Sequence, residues 1–199
     1  YPDTVANCLY VGGGFNTTGN DSVNHCTYWN DLNYMPMSFN GQNGCNDSVW
    51  CFTYFNGSLY VGGNFTVAGG VPCNRIARWD GVAWHPVENG FNKPVRSLCV
   101  FNDELYAGGA FTFSGASPIQ SLAKWNGLTW SQVDGGTNGI VETMKVWNND
   151  LYIGGSFTIA GGITCNRICK WDGTEYSSVG SGFSGGMMSQ CVVRSLCNY

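Results

Sequence analysis

The sequence predicts an all-β chain, a β-propeller of four four-stranded antiparallel blades, and three observations carry that prediction. First, the run Leu59-Tyr60-Val61-Gly62-Gly63-Asn64-Phe65-Thr66 recurs at Leu105 to Thr112 and Leu151 to Thr158, with a weaker copy at Leu9 to Asn16. The leading leucines lie 50, 46 and 46 residues apart, a period at which repeated supersecondary units bury apolar faces on their neighbours. Second, each leucine is followed twenty residues later by Trp29, Trp79, Trp125 or Trp171, and five residues further on by Tyr34, Trp84, Trp130 or Tyr176. Third, the chain holds 29 glycines and 15% aromatics but only 11% charged residues, a mixture suited to tight turns and aromatic packing.

The second unit shows how each blade is built. Val49 to Phe55 alternates and is rich in β-formers, and Asn56-Gly57 then signals a hairpin. Leu59 to Phe65 forms the next strand, in which Gly62-Gly63 permits a bend or a close backbone approach. Val67 to Pro72 reads as a loop, Arg75 to Trp79 as the third strand, Asp80-Gly81 as a type I′ turn, and Val82 to Val87 as the fourth strand. The turn recurs at Asn126-Gly127 and Asp172-Gly173, whereas Asn30-Asp31 predicts a different turn in the first unit. The longer first period places its extra residues around Asn40 to Cys45.

These spacings make residues 1–199 one domain, with blade 1 at about 5–39 plus 190–198, blade 2 at about 47–88, blade 3 at about 94–134 and blade 4 at about 140–180. Arg194-Ser195-Leu196-Cys197 copies Arg96-Ser97-Leu98-Cys99, so the C-terminal strand, about Cys191 to Asn198, is expected to pair with Ala6 to Phe15 and complete the first blade. The same pairing between molecules would give head-to-tail polymers. Closure within one chain is favoured because it removes open sheet edges. The numbering opens at Tyr1, with neither a methionine nor an apolar leader, which reads as a processed product or a piece of a longer chain.

Ten cysteines (Cys8, Cys26, Cys45, Cys51, Cys73, Cys99, Cys165, Cys169, Cys191 and Cys197) and five sequons (Asn16, Asn20, Asn46, Asn56 and Asn64) point to a secreted or cell-surface glycoprotein with disulfides. Cys8–Cys197, Cys45–Cys51 and Cys169–Cys191 are the pairings to test. All five sequons lie in the first third of the chain, which leaves the rest as the natural side for protein contacts. The net charge of −4 and the lack of a basic run argue against nucleic acid, and no apolar run is long enough to span a membrane.

Leu59 to Gly70 with Asn74 to Trp84, and Leu151 to Gly162 with Asn166 to Gly173, resemble the kelch-like extracellular repeats of fungal cortical cell-polarity markers and related secreted surface proteins. The third unit departs from that pattern at Ala116 to Leu122, and the first departs throughout its loop. The resemblance implies a surface or matrix β-propeller and brings no catalytic residues.

Candidate binding residues are the aromatics Trp79, Trp84, Trp125, Trp130 and Trp171, which could be sugar platforms or core packing; regularity favours packing. Arg78, Lys124 and Lys170, each before its tryptophan, could pair with acidic neighbours or lie over aromatic faces. His25 and His85 fall at non-equivalent positions, so neither a catalytic base, a metal nor another cofactor is expected. The expected function is a structural or adhesive surface module, in its sharper form a subunit of an extracellular filament or coat. Its partners would be copies of itself, other extracellular proteins or glycans. A carbohydrate-binding lectin is the alternative, and a propeller-fold enzyme the third reading.

Overall fold

A computed structural model of the chain describes residues 2, 3, 8–19, 21–185 and 191–197. The chain divides into two compact units, Tyr1–Val95 and Arg96–Tyr199. Among the described residues there is no helix, and hence none long and apolar enough to cross a membrane.

The first unit holds two four-stranded antiparallel sheets. Blade 1 is Pro2–Asp3, Cys8–Gly12, Cys26–Trp29 and Tyr34–Pro36; blade 2 is Val49–Phe55, Ser58–Gly63, Ile76–Trp79 and Trp84–Pro86. The second unit repeats the plan. Blade 3 is Val95–Phe101, whose first residue closes the first unit, with Glu104–Gly109, Leu122–Trp125 and Trp130–Gln132. Blade 4 is Val141–Trp147, Asp150–Gly155, Ile168–Trp171 and Tyr176–Ser178.

Turn chemistry sets these boundaries. Asn56 and Gly57 both have positive φ (46° and 74°) between strands that pair Ser58 with Phe55. Two consecutive left-handed residues match the right-handed twist of a two-residue hairpin. At Gly62 the side chain has to be a hydrogen: a Cβ there would lie 2.7 Å from Cys51 Sγ and from a methyl of Val95. The register also shifts between Gly62 and Gly63, so the glycine pair supplies both the bulge and the close approach.

Three local expectations are corrected. The stretch Val67 to Pro72 is a miniature hairpin, Val67–Ala68 against Val71–Pro72, closed by Gly69 and Gly70 at positive φ. The Asp80-Gly81 turn is a four-residue loop, with Trp79 paired to Trp84, so the fourth strand is only Trp84–Pro86. Asp80 Oδ1 accepts the N–H groups of Val82 and Ala83, an Asx turn that replaces a backbone type I′ turn. Finally, blade 1 uses the same turn, not a different one. Asn30 Oδ1 accepts from Leu32 and Asn33, and Asp31 takes the glycine's place at φ 71°, a conformation its short polar side chain tolerates.

The insertion in the first period is the small hairpin Ser38–Phe39 with Gln42–Asn43. The Gly44 N–H still reaches the Met37 carbonyl (3.1 Å), as Gly90 reaches Val87 and Gly136 reaches Val133.

At the chain ends the expected arrangement is partly changed. The blade-1 edge at Cys8 and Leu9 pairs with Pro2–Asp3, which corrects the expectation of a C-terminal strand there. A nearby segment closes a short loop at lower entropic cost than a distant one. The described C-terminal residues, 191–197, carry no strand. Val193 nonetheless donates to the Gly155 carbonyl (3.2 Å), as Val49 does to Gly13 (3.3 Å), and its methyl presses on Gly154 as that of Val49 presses on Gly12. The segment therefore lies where the first strand of a following blade would lie. Asn198 is outside the described residues.

Each unit has its own core. Met37, Leu59, Val61, Phe65, Trp79 and Trp84 anchor the first; Tyr106, Leu122, Leu151, Phe157, Trp171 and Tyr176 anchor the second.

Candidate functional site

The aromatic pair at the turn of each blade has the same local geometry throughout. Ring centroids are 5.0 Å apart for Trp29–Tyr34, 5.1 Å for Trp79–Trp84, 5.2 Å for Trp125–Trp130 and 4.7 Å for Trp171–Tyr176. What differs is burial. Trp79, Trp84, Trp125, Trp130 and Trp171 are all buried, so none offers an open platform to a sugar.

The reason is visible in how the second aromatic is held. Trp84 lies against Gly69, where a Cβ would meet its ring at 2.2 Å, and its indole Nε1 donates to the Met37 carbonyl of the preceding blade (3.0 Å). Tyr176 lies against Gly161 in the same way, and its hydroxyl donates to the Val133 carbonyl of the preceding blade (3.0 Å). Burial pushes the Tyr176 phenol well above its ordinary pKa, so it stays a neutral donor. Blades 2 and 4 thus each provide a glycine socket, and the blade before each provides a carbonyl.

Blade 1 breaks the pattern. Tyr34 is 43% exposed, and among the described residues nothing lies within 4 Å of a Cβ built on Gly19, the equivalent of Gly69 and Gly161. The empty socket is a cavity of about 510 Å³ bordered by Phe15, Gly19, Asp21, Trp29, Asn33 and Tyr34, among others. Sequence reasoning passed over this site by weighing only the tryptophans of the later blades. The available signal was the departure of the first unit's loop from the repeat.

Cys26, Cys45, Cys73, Cys165 and Cys169 are buried in the two cores. Cys26 and Cys45 Sγ atoms are 3.8 Å apart, both buried, with Cys73 in the same cluster. Burial first, then the Cys26 contact, pushes the Cys45 thiol up; burial raises Cys73 to about 11. In the second unit Cys165 and Cys169 are hydrogen-bonded. That contact pushes the Cys169 thiol up and the Cys165 thiol down. Cys45 therefore neighbours Cys26 where Cys51 was expected, and Cys169 neighbours Cys165 where Cys191 was expected. Cys51 instead faces Gly62, and Cys191 lies beside Gly185. Cys8 and Cys99 are half-buried and Cys197 is exposed.

The sequons differ in setting. Asn16 is exposed, and Asn56 is exposed at a hairpin tip. Asn46 is exposed but fully engaged: Oδ1 accepts from the Thr66 and Val67 N–H groups, and Nδ2 donates to Thr66 Oγ1. Asn138 makes the same three bonds in blade 4, which marks this asparagine as a repeat feature. Asn64 is half-buried and donates to Asp47. Asn20 lies outside the described residues.

The basic residues before the tryptophans pair with the neighbouring strand. Lys124 meets Glu104 (3.1 Å), Lys170 meets Asp150 (2.6 Å), and Arg78 reaches Ser58 Oγ (3.5 Å). His85 bonds Asp80 and His25 bonds the Gly13 carbonyl, so the two histidines have separate partners. Among the described residues no three His, Cys, Asp or Glu side chains form a group that could hold a metal ion.

Comparison with known proteins agrees with the architecture. A family model described as a domain of unknown function (DUF5122), β-propeller, matches residues 56–79. No curated protein matches the chain. The solved structures it resembles include the extracellular domain of a protein described as a hybrid two-component system, from B. thetaiotaomicron. The TM-score is 0.55 at 16% identity, over 89% of this chain and 20% of that one. The chain thus spans about a fifth of the length of that relative. The fold is all-β and of the β-propeller class, built from four-stranded antiparallel blades.

Proposed function

We propose that the chain is an extracellular, disulfide-stapled β-propeller module with a structural or adhesive role at a surface, its partners being copies of itself or other extracellular proteins. The observation that carries this reading is the placement of paired thiols in both cores, Cys26 with Cys45 and Cys165 with Cys169. Cys26 and Cys45, with Sγ atoms 3.8 Å apart, need a movement of under about 2 Å to reach disulfide bonding distance. Each bond forms as two thiols lose two protons and two electrons to a disulfide-carrying oxidant of the secretory compartment. The exposed sequons Asn16 and Asn56 suit the same setting, as do the extracellular neighbour and the resemblance to kelch-like surface repeats. The reading assigns no catalytic role and no cofactor.

Non-reducing peptide mapping of chain secreted from eukaryotic cells tests it. The expected result is Cys26–Cys45 and Cys165–Cys169 linkage, with glycan on Asn16 and Asn56. Free thiols at all four positions would contradict it.

One observation favours a second reading, carbohydrate binding. The blade-1 cavity is of ligand size and joins the rings of Trp29 and Tyr34 to the polar groups of Asp21 and Asn33. A glycan-array signal abolished by Trp29→Ala, with the fold retained, would establish it.

A further inference from the structure

We propose that the open socket of blade 1 is a docking site for the Val179–Gly182 turn of a second copy of this chain, joining copies head to tail. The equivalent sockets of blades 2 and 4 are covered. In blade 4, Tyr176 fills the Gly161 socket and donates to the carbonyl of Val133, which opens the turn Val133 to Gly136 of the blade before it. In blade 2, Trp84 fills the Gly69 socket and donates to the Met37 carbonyl, whose turn is closed by Gly44. Two different rings are thus held by one device, a carbonyl at a glycine-closed turn.

Blade 1 has the socket without the carbonyl. Among the described residues nothing covers Gly19 and none accepts a hydrogen bond from the hydroxyl of the exposed Tyr34. Blade 4 has the carbonyl without the ring. Val179 opens a turn closed by Gly182 (3.1 Å), matching Val133 with Gly136. Val133, however, is buried at 1%, whereas Val179 is only half-buried and Gly180 and Ser181 are exposed. Each open face has the chemistry of the other's missing partner. Docking would let Tyr34 turn into the Gly19 socket, close the cavity and donate to the Val179 carbonyl. The contact is heterologous, since one molecule offers its socket and the next its turn, and such contacts extend unless the ring closes.

The inference deepens the reading of the chain as a module that engages copies of itself, but its test is separate. Sedimentation velocity over a range of concentrations is measured for the whole chain, for Tyr34→Ala, and for Ser181→Trp. Ser181 is exposed and takes the place of Gly135, whose Cβ position lies 3.4 Å from Gly161, so an indole there blocks the turn and leaves the core alone. The expected result is concentration-dependent association of the native chain, weakened about tenfold or more in each variant. Mixing the two variants restores a single heterodimer, because only the turn of Tyr34→Ala and the socket of Ser181→Trp remain. A native chain that stays monomeric overturns the proposal, and so does association that neither variant weakens. A sugar that protects Tyr34 in a monomer also overturns it, by naming another occupant. Loss of the disulfides in peptide mapping would remove the extracellular reading and leave this association standing.

Discussion

Blades 1 and 4 carry the same aromatic pair in different surroundings. Trp29–Tyr34 and Trp171–Tyr176 have closely similar ring separations, yet Tyr34 is 43% exposed and Tyr176 only 7%. The side chains, the strand register and the Asx turn are alike. The difference is the Val133 carbonyl above Tyr176, which has no described counterpart above Tyr34. A blade's own sequence places the ring near its socket, and the neighbouring blade keeps it there.

The sharpest way to break the comparison is truncation. Tyr176→Ala removes a buried aromatic and should cost about 3–5 kcal/mol, whereas Tyr34→Ala in the dilute chain should stay within about 0.5 kcal/mol. Urea denaturation followed by tryptophan fluorescence checks both. Equal losses would mean that Tyr34 is already docked.

Next in size is Gly154→Ala. Its Cβ would lie 2.6 Å from a Val193 methyl and 2.9 Å from one on Thr143, an overpacking worth about 1–3 kcal/mol. The same substitution at Gly162 meets nothing within 4 Å among the described residues, and its φ of 83° makes backbone strain the source of loss. The two melts therefore separate crowding from conformation.

Tyr176→Phe keeps the ring and removes the hydroxyl. The Val133 carbonyl retains the Gly136 N–H (2.7 Å), so the expected loss is that of one ordinary hydrogen bond, about 0.5–1.5 kcal/mol. Tyr34→Phe should be neutral in the monomer.

The smallest effect is acid sensitivity. The N–H of Glu175, then the Thr174 hydroxyl and N–H, hold Asp172 below the usual aspartate range. A depressed folded pKa stabilises fully above the ordinary value, about 3.9, and that part is lost as pH falls through the folded value. Asn126 makes the equivalent bonds to Leu128 and Thr129 with no charge to titrate. Asp172→Asn should therefore leave neutral-pH stability nearly unchanged and flatten the acid limb of the stability curve.

Much of the blade plan was legible because it lies in short-range chemistry. Asn56-Gly57 marked its hairpin, Gly62-Gly63 marked a close approach, and the Leu–Trp–aromatic spacing marked four sheets. The Asx turns were misread because a side-chain acceptor at Asp80 uses the same Asp-Gly letters as a type I′ turn. The cysteine neighbours and the empty socket were not legible, since both depend on which distant segments meet. Cys26 and Cys45 approach through the fold of blade 1 and its inserted hairpin, and Tyr34 looks like Tyr176 until the preceding carbonyl is considered.

Hydroxyl-radical footprinting of the native chain, with peptide mass readout at low and high protein concentration, tests the central claim most directly. The account predicts that Tyr176 is protected at both concentrations, while Tyr34 reacts at low concentration and becomes protected at high concentration. Tyr34 protected from the start, like Tyr176, would contradict the open socket.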